Sequence, residues 1–184
     1  MGGIGGIVHH QAAQQRRGRY AGSDGRECRD GEPRTYEPHL PGRALAVAGL
    51  VVLNGAFVFA ADLLRSVTTP CHVSFIRVSS YDGMESTGRL TQVLGLTEKI
   101  EGRSVVIVED IIDSGLTMQA LTEQLQAMRP ADLRICTLLA KPGNLQAELD
   151  IDYCAFRIPN DFIVGYGLDY DGYGRELKDI YVVE

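Results

Sequence analysis

The chain has 184 residues, 45% hydrophobic and 23% charged, enough for one α/β domain with a sizeable core and short of what two would need. Its formal net charge of −6 argues against a protein whose main task is gripping nucleic-acid backbone, because that footprint is basic. No run approaches the roughly 18 consecutive apolar residues of a membrane span, and the N-terminus lacks a signal-peptide apolar core, so a cytoplasmic protein with no membrane partner is expected.

Residues 1–43 differ in kind from the rest. They hold seven arginines against five acids, many glycines and almost no periodic apolar residues, which reads as a disordered or poorly packed segment. The GGIGG run at 2–6 follows no strand and so does not fit a dinucleotide-binding turn, and the His9-His10 pair reads as solvated. Cys28, Cys71, Cys136 and Cys154 form no CxxC pair and lack zinc spacing, so reduced thiols are expected.

Organised sequence begins near Ala46. Ala46 to Leu53 reads as a buried strand, Asn54-Gly55 as its turn, and Ala56 to Val67 as a helix apolar on nearly every side, which should therefore be covered by other elements. After Pro70, Val73 to Val78 reads as a strand, and SSYDGMESTGRL at 79–90 as a long polar loop. Val105 to Val108 is continuously apolar, the pattern of a strand covered on both faces. Met118, Leu121, Leu125 and Met128 then recur at helical spacing, so the pattern predicts a helix from Thr117 to about Arg129, closed by Pro130. Leu133 to Leu139 is a further strand, and shorter ones are expected at Tyr153–Phe156, Phe162–Gly165 and Ile180–Val183. Strands alternating with helices imply an α/β fold with a mainly parallel twisted sheet and right-handed crossovers.

In open α/β sheets, ligands sit beyond the carboxyl ends of the strands. Those ends carry Asn54-Gly55, Ser79-Ser80-Tyr81, Glu109-Asp110 with Asp113, and Lys141, all able to converge on one crevice. Backbone amides in Asp113-Ser114-Gly115-Leu116-Thr117 lead into a helix N-terminus, where unpaired donors and the dipole favour an anion such as phosphate. The GxxxxGK[ST] spacing of a Walker motif is missing. Taken alone, Asp113-Ser114 reads as a helix N-cap and Glu109-Asp110 as a solvated strand end. Together they ask for more, since acids beside an anion site are unfavourable unless they hold hydroxyls, a metal or a proton in transit. A sugar phosphate meets both needs.

This stretch, VEDIIDSGLT at 108–117, resembles the phosphoribosyl pyrophosphate (PRPP) signature of type I phosphoribosyltransferases. Residues from about 50 to 184 resemble the hypoxanthine-guanine branch, with VLNGAF at 52–57, VSSYDGMESTG at 78–88 and IPNDFIVGYGLDYDGYGREL at 158–177 in the expected order. The resemblance implies the type I phosphoribosyltransferase fold over residues 46–184, with a small hood from the termini. Residues 1–45 do not look like the family's N-terminal segment and are expected to be disordered or divergent.

The resemblance also implies a reaction: Mg²⁺-dependent transfer of phosphoribosyl from PRPP to a 6-oxopurine base. Glu109 and Asp110 would hold the ribose hydroxyls, with Asp110 near magnesium, and Asp113 would take the proton of the purine's imidazole nitrogen. Ser114, Gly115, Leu116 and Thr117 would bind the 5′-phosphate. The backbone of Leu53, Asn54 and Gly55, carrying a non-proline cis peptide, would contact pyrophosphate, and Arg175 would help neutralise it. Asn54 stands where some relatives have lysine. Lys141 would point at the purine 6-oxo group, Phe162 would stack on the base, the Ile163 backbone would read its edge, and Asp169 would bind a second magnesium. Ser80 and Tyr81 would close over the site and exclude water. A homo-oligomer, dimer or tetramer, is implied as well. Two readings compete on sequence alone: a catalytically weak or inactive homologue, and a regulator that uses the fold to sense nucleotides, with or without RNA binding, the acidic core speaking against RNA.

Overall fold

The computed structural model describes residues 47–80 and 90–183, all within one compact unit spanning Pro41–Glu184. The expectation for residues 1–45 therefore lies outside the described residues, as does Tyr81 with the segment to Gly88.

In chain order the elements are β1 (Val47–Leu53), α1 (Phe57–Ser66), β2 (Cys71–Ser80), β3 (Leu90–Leu94), β4 (Ser104–Ile112), α2 (Leu116–Ala127), β5 (Asp132–Ala140), a 3₁₀ turn (Pro142–Asn144), β6 (Tyr153–Arg157), β7 (Ile163–Val164) and β8 (Tyr181–Val182). Six strands form one sheet in the order β3-β2-β1-β4-β5-β6, and β7 pairs with β8 in a separate antiparallel ribbon. All pairings in the large sheet are parallel except β2 with β3.

The buried apolar runs act as their sequence suggests. On β4, Val105 and Ile107 are fully buried on one face while Val108 is buried on the other, so both faces are covered. Along α2, Met118, Leu121 and Leu125 form the stripe that packs on the first face, against Leu50, Ile76 and Ile107. α1 covers part of the second face, where Ala60 meets Val51 and Val108.

Four readings are corrected. β4 does not end at Val108: its pairing with β5 continues through Glu109↔Thr137, Ile111↔Leu139 and Ile112↔Ala140, because an open ladder partner outweighs the poor strand preference of acids. Leu90 belongs to a strand rather than a loop, returning antiparallel along β2 with Val78 opposite Val93 and, after a register shift between Ser79 and Ser80, Ser80 opposite Leu90. Met128 lies beyond the last turn of α2 and is 45% exposed, so the stripe stops at Leu125, and Arg129 adopts a left-handed conformation before Pro130. Finally, α1 is not covered all round: among the described residues Ala60 is its buried member, and Phe57 is 43% exposed.

Removing the side chain of Leu121, which is wholly enclosed between α2 and the sheet, leaves a cavity that the strands cannot collapse into. Leu121→Ala should cost about 2–5 kcal/mol of unfolding free energy, measured by denaturant titration of the purified protein.

Candidate active site

The order β3-β2-β1-β4-β5-β6 means that the chain first builds outward from β1 to β2 and β3, then returns to β1's other side with β4. Connections leaving β1 and β4 diverge, and a crevice opens at their carboxyl ends. The turn after β1 includes a cis peptide between Leu53 and Asn54, as the resemblance implied. A Cβ on Gly55 would overlap the Asp110 carboxyl group, so glycine is what allows this turn to lie against β4.

Asp110 is held by its backbone neighbours. Its own N–H donates to Glu109 Oε1 at 3.2 Å, and Ile111 N–H donates to Asp110 Oδ1 at 2.9 Å. Burial pushes the Glu109 carboxyl well above the usual range, and the adjacent Asp110 carboxyl adds to the effect by hydrogen bonding and repulsion. Glu109 and Asp113 line a cavity of about 230 Å³ together with Val52, Val78, Ser114 and Thr117.

The helix end at this cavity is open. The N-cap of α2 is Gly115 in a left-handed conformation (φ 80°), with no side chain capping it. The first backbone bond of the helix runs from Gln119 N–H to Gly115 O at 2.9 Å. Among the described residues, the amides from Ser114 to Thr117 thus have no backbone acceptor. Capping, the plain explanation for Asp113 and Ser114, is not what they do.

Asp113 instead faces the loop after β5. Lys141 Nζ donates to Asp113 Oδ2 at 2.8 Å, and Asn144 Nδ2 donates to Asp113 Oδ1. These hydrogen bonds, Lys141's first, hold the Asp113 carboxyl below the usual aspartate range, with the lysine charge acting in the same direction. The Lys141 side chain is buried and its partner half exposed. Backbone bonds fasten the same loop: Lys141 N–H to Ile112 O at 2.9 Å, and the N–H groups of Gln146 and Ala147 to Ser114 O at 2.9 and 3.2 Å.

A third segment, leaving β7, comes in from the other side. A Cβ on Gly167 would overlap the Gly55 carbonyl oxygen. Arg175 donates to Gly167 O at 2.8 Å and pairs with Asp169 Oδ1 at 2.5 Å, while Gly172 N–H donates to Asp169 Oδ2 at 2.8 Å. Arg175 and Asp169 are therefore brought beside the Gly55 turn but engaged with each other. Phe162 is 53% exposed, a ring free on its outer side, and Tyr170 meets it edge to face with centroids 5.6 Å apart. Ile163 sits in β7, paired with Val182. Ser80 closes β2, and Tyr81 lies outside the described residues.

The structure thus brings together Leu53, Asn54, Gly55, Glu109, Asp110, Asp113, Ser114, Gly115, Leu116, Thr117 and Lys141 at the strand ends, with Gly167 against Gly55 and Arg175 linking Gly167 to Asp169. Sequence reasoning missed Asn144, Gly167 and Tyr170. Asn144 carries no motif, and its contact with a residue 31 positions away is visible in three dimensions alone.

Two carboxyl groups with a cavity and an anion-ready helix end suit Mg²⁺, which keeps several waters and takes one or two carboxylates plus substrate phosphates. The described residues hold no group of three or more His, Cys, Asp or Glu placed as a ready-made metal cage, and no helix among them is long and apolar enough to cross a membrane.

Residues 42–171 match the phosphoribosyl transferase domain family. The chain is similar to a hypoxanthine-guanine phosphoribosyltransferase of Mycobacterium tuberculosis, 46% identical over 132 residues, covering 71% of this chain and 65% of that protein. It therefore spans less than two thirds of the length of its mycobacterial relatives. A hypoxanthine phosphoribosyltransferase of Salmonella typhimurium is 45% identical over 137 residues, 74% of this chain and 76% of that one. In structure, the chain is similar to a ternary substrates complex of a hypoxanthine phosphoribosyltransferase variant from Trypanosoma cruzi, with TM-score 0.72 and 40% identity over 79% of this chain and 80% of the other.

A folded-state carboxyl held below its unfolded value contributes stability above the unfolded pKa and loses it as pH falls through the folded one. Asp113→Asn, which leaves buried Lys141 without its counter-charge, should lower the melting temperature near neutrality. The gap to wild type should close as pH falls below the ordinary aspartate value of 3.8, read by thermal melts across a pH series.

Proposed function

Because the chain belongs to the phosphoribosyltransferase family, in its hypoxanthine-guanine branch, we propose that it catalyses Mg²⁺-dependent transfer of phosphoribosyl from PRPP to hypoxanthine, and to guanine. The products would be IMP or GMP and pyrophosphate, and the role purine salvage. The observation that carries this reading is the cavity where unpartnered amides of Ser114 to Thr117 meet the carboxyl groups of Glu109 and Asp113.

In this proposal the amides and hydroxyls of Ser114 and Thr117 take the 5′-phosphate, the positive end of α2 adding to their attraction. Glu109 and Asp110 accept hydrogen bonds from the ribose hydroxyls. The turn at Leu53, Asn54 and Gly55 lies where pyrophosphate would rest, and Arg175 turns from Asp169 toward the departing charge. Phe162 offers its open face to the base, with Tyr170 bracing the ring, and the Ile163 backbone reads the base edge. Lys141 moves its ammonium from Asp113 to the purine 6-oxo group. Losing that donor raises the proton affinity of Asp113 as the base arrives, and Asp113 takes the proton as the ring nitrogen bonds to the anomeric carbon and the bond to pyrophosphate breaks. Ser80 and Tyr81 would shield this carbon from water.

Glu109 and Asp110 would hold Mg²⁺. Asp169 would have to share oxygens now engaged by Arg175 and Gly172. When bound, the ion supplies positive charge for the leaving pyrophosphate.

Incubating the protein with PRPP, magnesium and hypoxanthine should yield IMP in a spectrophotometric assay. A chelator should stop the reaction and added magnesium restore it. A folded protein that forms no IMP would sink the reading and leave an inactive homologue. Asp113→Asn should lower turnover far more than PRPP affinity; equal losses in both would mean that Asp113 merely shapes the loop.

A further inference from the structure

We propose that Asn144 is a positioning residue for the Asp113 carboxylate, gripping the oxygen that Lys141 does not hold and so fixing the direction in which its free lone pairs face. This rests on the reading of Asp113 as the proton acceptor. A carboxylate on a short side chain rotates about its Cβ–Cγ bond, and a single donor leaves that rotation open. Here there are two donors, Lys141 Nζ on Oδ2 and Asn144 Nδ2 on Oδ1.

The donors are unequal in kind. Lys141 ends a long flexible stem and, in the proposed reaction, leaves Asp113 for the base. Asn144 is short and sits on a loop fastened at both ends. Pro142 opens the 3₁₀ turn, Asn144 N–H donates to Lys141 O at 3.0 Å, and Gln146 and Ala147 donate to Ser114 O. Leu145, between them, lies against Gly115, where a Cβ would come within 2.8 Å of its Cδ1. The loop that carries Asn144 is thus bonded to the loop it serves, so amide and carboxylate keep their relative position when Lys141 departs. An amide also carries no charge. It orients the carboxylate without the electrostatic stabilisation that a second cation would add, and so leaves Asp113 able to accept a proton.

The groups that bear on Asp113 are few. Lys141 approaches from the end of β5, Glu109 lines the same cavity from β4, and the positive end of α2 lies beyond Ser114. Replacing the amide by an apolar group of similar size alters none of these charges.

The test compares wild type with Asn144→Leu, which removes the donor, and Asn144→Gln, which keeps it. In single-turnover formation of IMP, Asn144→Leu should lose about tenfold or more in rate with PRPP affinity within about twofold. Its acid limb should move to higher pH, because an ionised Asp113 has lost a donor, and Asn144→Gln should recover part of the rate. An unchanged rate, or a parallel loss of rate and PRPP affinity with no recovery in Asn144→Gln, would overturn the proposal. Titration of the Asp113 carboxyl carbon by NMR, which needs no turnover, separates this from the functional reading. An upward move in Asn144→Leu is expected, and an unmoved titration overturns the grip even in a protein that makes no IMP.

Discussion

Between the carboxyl ends of β1 and β4 there is no room for a side chain at residue 55, since a Cβ there would overlap the Asp110 carboxyl group. The two strands are neighbours at the point where the strand order reverses, so the connections leaving them part and the crevice stays open. Gly167 repeats the constraint one layer out, where a Cβ would overlap the Gly55 carbonyl. Two glycines let three segments far apart in sequence stack at one spot: the turn after β1, the acidic end of β4, and the loop carrying Asp169 and Arg175. A methyl group at either position would push apart the parts that a phosphorylated sugar would have to touch together.

Placing acids beside an anion cradle is costly unless each has a partner or a task. Glu109 and Asp113, four residues apart, resolve this in opposite ways. Glu109, partly buried next to another carboxyl, is pushed toward the protonated form. Asp113 is pulled toward the ionised form by Lys141 and Asn144. Environments that drive two like groups apart suit them to different work, and in the proposed reaction Glu109 would meet the ribose hydroxyls while Asp113 would take the proton. The amides at the start of α2 stay free because Gly115, not a side chain, begins the helix.

Much of this frame can be read without coordinates. Val105 to Val108 is apolar at every position, and that pattern belongs to a strand covered on both faces. Met118, Leu121 and Leu125 recur at the spacing of one helical face, and all three are buried. The motif around Glu109 to Thr117 pointed to an anion at a helix start, and the free amides are there. Other features depend on partners that the chain order hides. Glu109 and Asp110 continue β4 because β5 supplies a ladder, and Leu90 joins a strand because β2 lies alongside. Whether α1 is enclosed or bare on its outer side cannot follow from its composition, because apolar residues all round state a need for cover without naming what provides it.

Local periodicity and turn chemistry therefore indicated the order of the strands and helices except β3, and the kinds of group that stand at the carboxyl ends of the strands. Those signals act over a few residues, within reach of one stretch of chain. The pairing of Asp113 with Lys141 and Asn144, the lodging of Asp110 against Gly55, and the engagement of Arg175 with Asp169 arise where the sheet brings remote loops to the same edge. Such contacts hinge on strand order and register, and a shift of one residue would send each side chain to the opposite face.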